Sequence, residues 1–72
     1  MRISYDSEVD ALYIRLLEGS YQCRTLRLTE EVSLNIGPDE QLVGIEVLDA
    51  KAILGKGPFP TVLLDNVATV DA

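Results

Sequence analysis

EEVSLNIGPDEQLVGIEVLDAKAILG, residues 30–55, carries two strand patterns, a turn and a helix start in one continuous register. Val32, Leu34 and Ile36 alternate with Ser33, Asn35 and Gly37, and Val43, Ile45 and Val47 alternate with Gly44 and Glu46. Alternation with period two marks a strand that buries one face. The runs are joined by Gly37-Pro38-Asp39-Glu40-Gln41. Pro38 presets φ for a turn and Asp39 can bond its own backbone, which predicts an antiparallel hairpin with a loop of about four or five residues. After the hairpin, Asp49 can cap the free amides of a helix over Ala50 to Leu54, at most two turns long, which Gly55 can end in a left-handed conformation.

Towards the N-terminus the same pattern recurs. Ile3 and Tyr5 alternate with Arg2 and Ser4, and Leu12, Ile14 and Leu16 alternate with Ala11, Tyr13 and Arg15. The polar loop Asp6-Ser7-Glu8-Val9-Asp10 between them makes a second hairpin. Residues 21–28 form a poorer run, in which Leu26 and Leu28 share a face with Arg24, and read as a short or edge strand. Towards the C-terminus, Lys56-Gly57-Pro58-Phe59-Pro60 can hold neither a helix nor an inner strand and reads as a linker. Residues 61–64 are apolar and β-prone, and residues 67–70 repeat that character more weakly. The expected fold is α+β: an antiparallel sheet of four to five short strands with one short C-terminal helix over residues 1–55. Residues 56–72 then form a linker and a strand-like extension.

With 72 residues, 47% apolar and 25% charged, the chain has the composition of one small globular domain. Its core is thin. Surface scaling gives roughly 7,000 Å² buried on folding, worth on the order of 105 kcal/mol, against about 108 kcal/mol for ordering the chain. Chains this small escape the deficit by disulfides, metals or association. Cys23 is the single cysteine and there is no histidine, so neither an internal disulfide nor a structural zinc site is expected. Association remains, and a homodimer is expected, with the strand-like tail at 61–64 adding a strand or packing across the seam. No apolar run approaches the roughly 7 to 15 residues of a signal-peptide core or the roughly 18 of a membrane helix, so a cytoplasmic setting is expected. Cys23 is read there as a small, half-buried apolar residue.

The formal net charge is -6. Residues 1–28 balance four arginines against four acids, and residues 51–72 balance two against two. Residues 29–50 hold Glu30, Glu31, Asp39, Glu40, Glu46 and Asp49 and no base. A surface of that sign cannot release phosphate counterions, so direct binding to nucleic acid or to an anionic membrane is not expected.

Candidate chemistry thins out on inspection. The loop from Asp6 to Asp10 places acids at positions 1, 3 and 5, as a calcium loop begins, but Ala11 and Leu17 stand where that motif needs glycine and glutamate. A solvated turn is the better reading. Asp39-Glu40 and Glu30-Glu31 are neighbours that point apart, as a solvated rim does. Gly55-Lys56-Gly57 lacks the serine or threonine of a phosphate loop and reads as a hinge. Ser20, Ser33 and Cys23 have no histidine to activate them. Tyr5, Tyr13 and Tyr21 are expected to cover the core with their rings while the hydroxyls stay wet. No catalytic residue, cofactor or metal site is expected, nor an enzyme.

Tyr5-Asp6, Asp10-Ala11-Leu12-Tyr13-Ile14 and Val43-Gly44-Ile45-Glu46-Val47-Leu48-Asp49-Ala50 resemble the pattern of a small, mostly bacterial family, domain of unknown function 2283. The resemblance covers about residues 1–55. It implies a compact antiparallel sheet with a short helix, no assigned catalysis, and an antitoxin-like role beside a neighbouring gene product. On the residues themselves, Gly44 permits close approach of a neighbouring backbone or ring, and Glu46 can pair with an arginine such as Arg15 across the sheet. The function expected is a non-enzymatic protein-interaction module that docks a basic protein through its acidic hairpin. The competing expectation is a small-molecule or cation-binding protein using the Asp6 to Asp10 loop.

Overall fold

The computed structural model describes residues 1–55 and 60–68. Five strands, β1 (Arg2–Asp6), β2 (Ala11–Arg15), β3 (Arg24–Arg27), β4 (Val32–Ile36) and β5 (Leu42–Val47), precede the helix α1 (Ala50–Leu54). They form one antiparallel sheet in the order β1-β2-β5-β4-β3, so the hairpin β1–β2 sits beside the three-strand meander β3–β4–β5 with β5 at the centre. β3 is an edge strand with every residue exposed, as its poorer pattern suggested.

Each turn has a local cause. At one end of the sheet, the Asp6 Oδ1 accepts the Glu8 amide at 3.0 Å and Asp10 takes φ 54°, a conformation aspartate tolerates. Thr29 Oγ1 accepts the amides of Glu31 and Val32 at 3.1 and 2.9 Å and turns β3 into β4. At the other end, Pro38 opens a single 3-10 turn, closed by Gly37 N–H donating to Gln41 O at 2.8 Å. Asp39 contributes there by adopting φ 61°.

The structure shortens β2: Leu16 lies beyond it, and its amide and that of Leu17 both donate to Val43 O. A shift in pairing between Asn35 and Ile36 skips Val43, which is buried. The expected strand at 61–64 is absent, since those residues are coil and exposed. Of the weaker run at 67–70, Val67 and Ala68 are coil and the remainder lies outside the described residues, as does most of the expected linker.

The helix forms where expected but is capped differently. Asp49 stands at its N-cap with φ 50° and ψ 45° and makes no side-chain bond to it. Its carbonyl accepts the amides of Ala52 and Ile53, while the side chain that reaches the helix belongs to Asp10, forty residues back in the hairpin turn. Gly55 ends the helix at φ 144° and ψ -170°, a backbone open to glycine but extended rather than left-handed helical.

Candidate functional site

Pairing places two consecutive apolar rows on one face of the sheet. The first runs Tyr5, Leu12, Val47, Val32 across β1, β2, β5 and β4. Ala50 of α1, wholly buried, closes over Leu12 and Val47, and this is the core. One pleat away, Ile3, Ile14, Ile45, Leu34 and Leu26 line up across all five strands. No element among the described residues covers this second row completely: Ile3 is 38% and Leu26 43% exposed, and the three between them are half-buried. Ile53 and Leu54 of α1 are exposed as well. A row of five branched aliphatic side chains spanning a sheet is unusual on a free surface, because each methylene left in water forgoes about 0.8 kcal/mol.

The helix over the first row is held by a polar pin. Tyr5 Oη donates to Asp10 Oδ1 at 2.6 Å, the Lys51 amide donates to the same carboxylate at 3.2 Å, and the Ala50 amide donates to Asp10 O at 3.0 Å. The Asp10 carboxylate therefore does in trans what Asp49 was expected to do. The hydrogen bond to Asp10, with partial burial and the charges of Asp10 and Asp6, pushes the Tyr5 hydroxyl from 10.0 up to about 12. Asp10 is thereby committed to structure, and among the described residues no three acids or cysteines converge to hold a metal ion.

The acidic charge is arranged otherwise than the hairpin reading expected. Leu48 N–H donates to Glu31 O at 2.8 Å and Ala50 N–H to Asp10 O, which ties the β1–β2 turn, the β3–β4 turn and the start of α1 together at one end of the sheet. That end collects Asp6, Glu8, Asp10, Glu30, Glu31 and Asp49. Asp39 and Glu40 lie at the opposite end, where Glu40 pairs with Arg24 at 2.5 Å.

The reverse face is polar. The Tyr13 ring lies across Gly44 of β5, so that a Cβ at Gly44 would stand 2.5 Å from Tyr13 Cζ and against its hydroxyl. That is the close approach Gly44 was expected to permit. Asn35 Nδ2 on β4 donates to Tyr13 Oη at 2.9 Å, completing a strut over three strands. The tyrosines thus lie on both faces, and the hydroxyls of Tyr5 and Tyr13 are bonded within the protein rather than left to water. Arg15 does not pair with Glu46. It turns to the following loop, Nε donating to Leu17 O at 2.7 Å and Nη2 to Gly19 O. Ser33 is buried on this face, and Cys23, expected half-buried, is exposed because the chain between β2 and β3 passes outside the core.

The open row was within reach of sequence reasoning, since period-two counting names its members. What it could not show was which row the five-residue helix would cover. The Tyr5–Asp10 pin carried a weaker signal, two polar residues flanking one tight turn.

Among the described residues no helix is long and apolar enough to cross a membrane. Comparison with curated proteins finds no match, and comparison with solved structures finds none either. A family model does match, over residues 2–51, which takes in all five strands and the start of α1. The chain therefore belongs to the family described as protein of unknown function DUF2283.

Proposed function

We propose that this protein is a non-enzymatic interaction module that works as a two-fold homodimer, closed over the row Ile3, Ile14, Ile45, Leu34 and Leu26. The acidic end of the sheet stays free to dock a basic protein. The open apolar row is the observation that carries this reading.

The helix suggests how the two copies meet. α1 occupies the face only at the acidic end, so a two-fold axis along the row sets Ile45 near its own copy and each helix over the uncovered end of its partner's sheet. The tail is not needed for this seam. The antitoxin-like role implied by the resemblance would be one instance of such a module, with Glu30, Glu31 and Asp49 steering a cationic partner. A reducing cytoplasmic setting suits an exposed, unpaired Cys23.

Static light scattering tests the reading. It should give about twice the chain mass of 7.9 kDa at micromolar concentration, and Ile45→Asp should return the mass to one chain. A wild-type mass of one chain would refute it. For the partner, capture of a basic protein by the wild type should be lost when Glu30→Lys and Glu31→Lys are combined.

A further inference from the structure

We propose that the polar face of the sheet holds a binding site for a small molecule bearing one oxyanion, a phosphate monoester or a carboxylate, gripped between Arg2 and Arg15. This site lies on the side of the sheet away from the apolar row and stands whether or not the interaction reading does.

The register sets Arg2 directly opposite Arg15 on one face. Like charges so placed repel and destabilise a strand pair. In a chain of net charge -6 a counter-ion would be easy to supply, yet the ion pair present among the described residues is Arg24 with Glu40. Arg15 is moreover half-buried and held in place, Nε and Nη2 donating to the carbonyls of Leu17 and Gly19. Two of its five N–H donors are spent on neutral acceptors, so its charge is uncompensated and its outer donors remain fixed in direction. A guanidinium held in one direction, as that of Arg15 is, matches the oxygens of a carboxylate or phosphate, and the exposed Arg2 opposite it can close on the same anion.

A cleft of about 350 Å³ opens at this pair, lined by Arg2, Ser4, Tyr13, Arg15, Glu18 and Gly19. The Ser4 hydroxyl lines the cleft as an uncharged donor, and Tyr13 contributes its ring there, its own hydroxyl lying over Gly44 against Asn35 Nδ2. An adjoining cleft of about 360 Å³ shares Tyr13, Arg15 and Gly19 and runs on to Ser20, Thr25 and Asn35, all uncharged. The anionic head sits between the arginines, and a neutral, hydroxyl- or amide-bearing body lies along Tyr13. Glu18 lines the same cleft and opposes every anion there, so binding requires the two guanidinium groups to outweigh it, more easily for one negative charge than for several.

The test is an NMR titration of the full ¹⁵N-labelled chain with inorganic phosphate and, separately, acetate, against sodium chloride at equal ionic strength. The expected result is a saturable shift, absent with chloride, of the Ser4 and Gly19 amides and the Arg15 Nε signal. Saturation by phosphate alone assigns a phosphate monoester, and by acetate alone a carboxylate. Arg2 is exposed, so Arg2→Ala keeps the fold and should weaken binding about tenfold. No saturable shift with either anion overturns the proposal, and so does binding of undiminished strength in Arg2→Ala.

Discussion

The row Tyr5, Leu12, Val47, Val32 and the row Ile3, Ile14, Ile45, Leu34, Leu26 lie one pleat apart on the same face, and both are aliphatic apart from one tyrosine. One is the core of the protein and the other is half in water. Residue type does not separate them. The difference is made by Asp10, which holds the amides of Ala50 and Lys51 and so fixes a five-residue helix over the first row only. A helix so short has no stability of its own, and its place is where it is pinned. The second row is left open.

Leu12→Ala and Leu34→Ala put the contrast to the sharpest test. Leu12 is 4% exposed beneath Ala50, and its truncation should cost about 2 to 5 kcal/mol. Leu34→Ala should cost well under half of that within one chain, but should move the midpoint of denaturation in a manner that depends on protein concentration. Equal, concentration-independent losses would mean that the rows are not different in kind.

Gly44→Val probes the reverse face. Its branched side chain would meet the Tyr13 ring and stand 3.1 Å or less from Ile14 O, so a loss of more than about 1 kcal/mol is expected in urea. Adding Tyr13→Ala should recover part of it, and a strictly additive double variant would show that Tyr13 is not the obstacle.

The pin comes next. Asp10→Ala should cost about 1 to 2 kcal/mol through the loss of the Tyr5 and Lys51 bonds, whereas Asp49→Gly, at φ 50° and with no side-chain bond to lose, should stay within about 0.5 kcal/mol. A larger loss at Asp49 than at Asp10 would restore the local cap that the sequence suggests.

Tyr5 carries the smallest effect. Its neutral form is the one favoured in the folded chain, so its contribution is fully present below pH 10 and fades as pH climbs from 10 towards 12. Spectrophotometric titration should show one tyrosine ionising late, and that late step should vanish in Tyr5→Phe.

The strands and hairpins were legible because alternation reports which residues share a face, and Val32 to Ile36 and Val43 to Val47 alternate cleanly. Helix α1 was legible as well, but its cap was not. Asp49 is the local candidate, while Asp10 reaches Lys51 from 41 residues away, which only the closed sheet brings about. The tail at 61–64 read as a strand from β-propensity alone, but a strand needs a ladder partner and those residues have none among the described residues. The six acids of residues 29–50 read as one surface because they are neighbours in sequence. Folding sends Asp39 and Glu40 to the far end and brings Asp6, Glu8 and Asp10 to Glu30, Glu31 and Asp49 instead.

If the second row is a seam between two copies, isotope-filtered NMR on an equal mixture of ¹³C-labelled and unlabelled protein should show intermolecular contacts among the methyl groups of Ile14, Ile45 and Leu34. Intermolecular contacts confined to the tail residues Val62 to Leu64, or none at all at a concentration where the row's methyl groups are resolved, would contradict it.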